Sequence, residues 1–251
     1  MKNFEKSINK PELATEQKYA NNNIECIYEN LPDFHIENVK KIIDNISPFL
    51  DHKILVNFKN LAPHNPGFHS SLNPEFKTPE DFDKIYINSD FFDQSQIEYY
   101  FLHELGHAFE HQLDSTAKHN NLDILPKNAD IESDYFKDYS YGEFQADFIA
   151  GFILNPDYIK NNLKSPVLKN TYEAVEKMFE GNNFIEIKKT IESEISKYKS
   201  EAENQYKLGK IDKPAWLDNE YENAPIYLRA FDEKVNTNYQ NYFNNLEEKF
   251  K

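Results

Sequence analysis

Between residues 97 and 113 the apolar side chains Ile97, Tyr100, Phe101, Leu105, Ala108, Phe109 and Leu113 recur at helical spacing. Inside this stretch stands His103-Glu104-Leu105-Gly106-His107. At roughly 100° per residue, positions four apart differ by only about 40° and lie about 6 Å along the axis. Both imidazoles therefore project from one face and can reach one metal ion, and zinc accepts imidazole nitrogen in tetrahedral geometry. Glu104 is one step round the helix, where a carboxylate can serve as general base beside an open coordination position. Gly106 is one of only six glycines. Mid-helix it costs about 1 kcal/mol relative to Ala, which implies that something passes close to the backbone there. The competing reading is two surface histidines on an amphipathic helix.

A catalytic zinc needs a third protein ligand. A second helix is expected over Tyr141–Leu154, stopping at Asn155-Pro156. On it Glu143 and Asp147 are four apart and share a face that Ala146 and Ala150 keep small, while Phe144, Phe148 and Phe152 lie elsewhere on the wheel. The expected set is His103, His107 and Glu143 around one Zn2+ per chain, with Asp147 accepting from a ligand imidazole. The alternative for Glu143 and Asp147 is a solvated acidic face.

Composition narrows the field around this site. A single cysteine, Cys26, excludes an internal disulfide and zinc sites rich in cysteine, and nothing around it activates the thiol, so it reads as buried packing. A net charge of −15 without a compensating Lys/Arg cluster argues against nucleic acid and anionic membranes as partners. No apolar run is long enough for a transmembrane helix or a signal peptide. The expectation is a cytoplasmic protein, or one secreted or host-delivered by a route that needs no cleavable signal.

The rest of the chain reads as α+β, mostly helical, with a small sheet and no internal repeat. Residues 1–33 are polar and broken by Pro11, Asn21–Asn23 and Pro32, and are expected to form an arm or short helices. Residues 34–181 form the core. Within it Ile36, Val39, Ile43 and Ile46 mark a helix limited by Pro48, and Lys53–Phe58 and Lys84–Asn88 are strands. Residues 60–80, with four prolines and Gly67, read as a long irregular loop. The motif helix is expected to start at an Asp93 cap and to lose its period after Leu113, leaving an excursion over 114–139. Helices follow at 166–180 and 184–208, the latter closed by Gly209, and residues 182–251 form a helical C-terminal region packed on the core. Pro214 and Trp216 fall in a connector before one or two more helices over 224–250.

His103-Glu-Leu-Gly-His107 followed by Glu143-Phe-Gln-Ala-Asp147-Phe-Ile-Ala resembles the gluzincin metallopeptidases. Within them it is most similar to the anthrax lethal factor catalytic domain and the Pro-Pro endopeptidases. Ser140-Tyr141-Gly142 matches their Tyr-Gly element, and the second helix, through Ile153-Leu154-Asn155-Pro156, also resembles the ImmA/IrrE peptidases. The resemblance covers about residues 84–180. It implies a zincin-like core, zinc held by His103, His107 and Glu143, Glu104 as general base, and a tyrosine that stabilises the oxyanion. The family tyrosine lies further before the glutamate than Tyr141 does, and at that offset stands Phe136. Tyr141 is preferred for its Ser-Tyr-Gly context, with Tyr139 and Tyr135 as alternatives.

The leading functional expectation is a zinc-dependent endopeptidase of narrow specificity acting on protein or peptide substrates. The resemblance leans toward a toxin-like effector, and the acidic charge favours basic stretches in the substrate. Lys84–Asn88 is expected to be the edge strand along the cleft, with Ile85 and Ile87 facing the core and Tyr86 on the other face. Tyr99 and Tyr100 read as packing, and Glu110 and His111 as continuing the histidine face, with His111 solvated or behind the ligands. His64 and His69 read as surface residues, contact with substrate being the alternative. The competing functions are a non-catalytic protein-binding module on the same scaffold, an ImmA-like regulatory protease, and a helical interaction protein working through residues 182–251.

Overall fold

The computed structural model of the chain describes residues 17–62, 65–70, 83–90, 96–124, 141–182 and 184–213. They form an α+β fold in which a five-stranded sheet packs one face against helices. The strands are β1 (Gln17–Asn21), β2 (Ile24–Tyr28), β3 (Ile54–Lys59), β4 (Gly67–Ser70) and β5 (Asp83–Asn88). The helices are α1 (Asp33–Ile46), α2 (Ile97–His119), α3 (Tyr141–Leu154), α4 (Pro156–Asn161), α5 (Pro166–Met178) and α6 (Ile185–Lys207), with a single 3-10 turn at Ser47–Phe49.

The strand order is β1-β2-β3-β5-β4. β2, β3 and β5 run parallel, while β1 and β4 are antiparallel to their neighbours. Alternation sorts the faces. Ile24, Cys26 and Tyr28 of β2, Ile54, Val56 and Phe58 of β3, and Ile85 and Ile87 of β5 are buried, and their intervening residues are not. Burial pushes the Cys26 thiol up to about 12, which keeps it an inert apolar filler.

Three expectations change here. Part of the segment read as an arm or short helices is a β-hairpin, turning at Asn22 with φ of 47°, a left-handed conformation that Asn tolerates. The Pro-rich loop contains a strand, β4. That strand takes the edge position, so Lys84–Asn88 is an interior strand between β3 and β4. Ile85 and Ile87 do face the core, and Tyr86 lies on the outer face, where Phe68 stacks on its ring at 4.6 Å and Lys59 Nζ sits 4.2 Å from its centroid.

The motif helix is also longer than its apolar period. It continues through buried Leu113 and Ala117 to His119, where Asn120 and Asn121 close it. Asp93 and most of the expected excursion lie outside the described residues. Helices α2, α3 and α5 pack together, and Phe109, Phe152, Phe179 and Phe184 make an aromatic cluster between them. α6 lies against α1 and α3, with Ile187 and Ile191 buried and Tyr198 stacked on Phe34 of α1, and ends as expected at Gly209, whose φ is +67°. Its two closing bonds, Gly209 N–H to Tyr206 and Lys210 N–H to Gln205, are those of a Schellman turn. The connector at Pro214 and Trp216 and the expected helices beyond 224 lie outside the described residues. Among the described residues no helix is long and apolar enough to cross a membrane.

Candidate metal centre

Helix α2 carries both histidines because its length keeps 103 and 107 in register. Helix α3 can come close because the crossing is at glycine. A Cβ on Gly106 would lie 2.6 Å from the Ala146 carbonyl oxygen. The close approach implied by this mid-helix glycine is therefore to the backbone of α3, and it brings Glu143 and Asp147 to the histidines.

His103 Nε2 lies 3.1 Å from Glu143 Oε2, and His107 Nε2 lies 3.6 Å from Glu143 Oε1. The two Nε2 atoms are 3.2 Å apart, with the rings nearly perpendicular at 88°. One ligand atom from each of His103, His107 and Glu143 falls within 4.8 Å of the others, so this group could hold a metal ion. The opposite ring nitrogens face carboxylates. His103 Nδ1 is 2.7 Å from Asp147 Oδ1, and His107 Nδ1 is 2.5 Å from Glu110 Oε1. With a proton on Nδ1, each ring donates to its carboxylate and turns the Nε2 lone pair inward.

Asp147 thus stands where it was expected. Glu110 is the partner that sequence reasoning passed over, and the signal for it was its i,i+3 spacing from His107. Gly142 explains how Glu110 reaches the ring, since a Cβ there would sit 2.8 Å from Glu110 Oε1. His111 is exposed, as one of its expected readings had it.

The charges fit a cation. Burial lowers the proton affinity of His103, but Asp147 and then Glu143 outweigh it and raise the pKa to about 9. Burial likewise opposes, and Glu110 and Glu143 more than restore, the protonation of His107, whose pKa rises to about 10. Burial disfavours the Glu143 carboxylate, yet its bonds to both histidines hold it well below the usual range. So many carboxylates around two imidazoles call for positive charge, supplied by ring protons or by a divalent ion in their place.

Glu104 is buried beside this group, and burial raises its pKa against the opposing pull of His103 and His107. It opens onto a cleft of about 360 Å³ lined by Gly67, Phe68 and His69 of β4 and by Tyr100, His103, His107 and Glu143. Two expectations shift. Tyr100 lines the cleft as well as packing, and His69 is a cleft residue instead of a surface one. The side chain of Tyr141, all of Tyr139 and Tyr135, and His64 lie outside the described residues, so the expected tyrosine is not placed.

No family model, curated protein or solved structure matches this chain.

Proposed function

We propose that the protein is a zinc-dependent peptidase. The observation that carries this reading is the convergence of two imidazole Nε2 atoms and one carboxylate at the floor of a cleft, with a further buried carboxylate, Glu104, beside them. Nitrogen and oxygen donors on three side chains, open on the cleft side, suit zinc better than calcium or magnesium, which prefer oxygen alone. The resemblance of the two helices to the gluzincin peptidases supports the same choice. When bound, zinc would supply a Lewis acid that polarises a carbonyl and acidifies water.

The chain's own groups account for the remaining work. His103, His107 and Glu143 would hold the ion, with the two rings fixed by Asp147 and Glu110. Glu104 accepts a proton from the attacking water and delivers it to the departing amine, and the burial that raises its pKa makes it a stronger base than an exposed carboxylate. β4 is the terminal strand of the sheet among the described residues, and it runs along the cleft. An extended polypeptide pairing with that strand would lie across the metal site, main chain to main chain. The net charge of −15 favours basic stretches in such a substrate.

The deciding experiment compares the parent with Glu104→Gln in a cell lysate, mapping new N-termini by mass spectrometry and metal content by elemental analysis. The expected result is about one zinc per chain in both proteins, and new N-termini with the parent alone. Equal cleavage by the Gln variant, or no tightly bound metal in the parent, would overturn the reading.

A further inference from the structure

His69 is the one polar side chain that β4 turns toward the helices. Strand alternation puts Gly67 and His69 on the inner face, and each stands over a different part of the motif. Gly67 covers Glu104, whose Cγ would be 3.4 Å from a Cβ at that position. His69 covers His107, its ring parallel to the His107 ring within 7° at a centroid distance of 6.0 Å.

An imidazole in this position needs a reason. In register it faces Ile85, among the apolar residues of the inner face, where a β-branched side chain would pack without cost. It is only 11% exposed, and its Nε2 is buried without a hydrogen bond among the described residues. A buried polar atom left in that state costs about 1–3 kcal/mol, so such atoms ordinarily have a partner. Nor does His69 belong to the metal group, which comprises His103, His107 and Glu143.

What stands behind the ring is ordered. Asp83 Oδ2, at the start of β5, lies 3.5 Å from His69 Nε2 and 2.9 Å from His52 Nε2, and His52 Nδ1 lies 2.7 Å from Asp51 Oδ1. A carboxylate beside Nε2 favours a proton there and orients the ring, which lines the cleft; with a second proton on Nδ1 the ring has an N–H to offer a bound group.

Resting on the peptidase reading, we propose that His69 is a substrate-contacting residue. Its ring, protonated on both nitrogens beside the Asp83 carboxylate, donates a hydrogen bond from Nδ1, on the strand side of the cleft, to the carbonyl oxygen of the bond being cleaved. Asp83 acts through it as a positioning residue. The placement suits the role because β4 is also the strand with which an extended substrate would pair. One element would then fix the substrate's main chain and supply a donor to its reacting carbonyl.

The test uses the full chain loaded with cobalt in place of zinc, with acetohydroxamate as the probe, an oxyanion whose binding is read from the visible absorption of the cobalt. His69→Ala is expected to keep the parent's cobalt stoichiometry and chelator resistance but to bind the probe about 10–100-fold more weakly, the loss of one hydrogen bond to a charged group. His69→Gln, which keeps a donor, recovers most of that affinity. Asp83→Asn gives an intermediate loss. In the ¹⁵N-histidine-labelled parent the His69 ring resonances shift when the probe is added, a readout that does not depend on any variant folding. Probe binding by His69→Ala as tight as the parent's, or no ring shift in the parent, overturns the contact. Loss of cobalt in His69→Ala overturns it too, by making His69 part of the metal's support. A parent that takes up no cobalt overturns the peptidase reading and this inference with it, a failure distinct from the other three.

Discussion

The Ala146 α-carbon lies 2.7 Å from the point where a Cβ on Gly106 would stand, and its carbonyl carbon lies 3.0 Å away. Both are backbone atoms of a buried helix, so neither can step aside as a side chain could. Gly106→Ala gains about 1 kcal/mol of helix propensity, but relief of the overlap must separate α2 from α3, and overpacking of this kind costs about 1–3 kcal/mol. The expected outcome is a lower melting temperature and a weaker metal affinity together, because Glu143 travels with α3. Thermal unfolding and chelator competition check it. A variant with unchanged metal affinity would mean that the crossing does not set the site.

Asp147→Asn tests the group behind His103. The amide keeps the size of the carboxylate but gives up its charge, and the buried ring loses the anion that fixes its proton on Nδ1. Metal affinity is expected to fall about 10–100-fold with the fold retained, as for other partners of ligand histidines. Asp147→Ala should lower stability as well, since it leaves buried Nδ1 without an acceptor. Competition with a chelator of known affinity reads the first effect, and unfolding in urea reads the second.

Gly142→Ala addresses the other imidazole. The added methyl would meet Glu110 Oε1 at 2.8 Å and push it off His107. Glu110 is a side chain and can move, so the cost to folding is expected to be small. Metal affinity should nevertheless drop, by about the same factor as in Glu110→Gln, and the double variant should be no worse than either single one. Additive losses would place Gly142 and Glu110 in separate roles.

These positions also mark what the sequence could and could not disclose. The two helices were legible because their period is strong, and the histidine pair because a spacing of four fixes one face. Gly106 was legible as a close approach because glycine in mid-helix needs a cause. β4 was not: four residues bracketed by Pro66 and Pro74 carry too little alternation to outweigh the turn signals. Missing β4 moved the cleft edge to the wrong strand and left His69 among surface residues. The hairpin of β1 and β2 was hidden the same way, since Asn21–Asn23 read as a break when Asn21 ends β1 and Asn22 and Asn23 are the turn. The end of α2 was missed because beyond Leu113 only Ala117 continues its seam, and the polar residues around it mask the period. Glu110 shows a different limit: an acidic residue three places from a histidine is common in so acidic a chain, and only the α2–α3 crossing shows which carboxylates face the site.

The last prediction concerns pH. His52 bridges Asp51 and Asp83, and its pKa is raised, chiefly by the hydrogen bond to Asp83, against the opposing effect of partial burial. A histidine that holds its proton more tightly when folded stabilises the fold below its unfolded pKa of about 6.5, and that contribution disappears as pH rises through the higher folded value. His52→Gln should therefore melt below the parent by the widest margin below about pH 6.5, with the gap narrowing as pH rises above that value. The side chain is 33% exposed, so the gap is small at any pH and its slope is the useful quantity. Melting curves in excess chelator remove any linkage to bound metal, and the ligand histidines titrate alike in both proteins and cancel. In the Asp83→Asn background the slope should flatten, because the main source of the shift is gone. A gap that grows with pH would mean that His52 is held neutral, with Asp83 serving His69 alone.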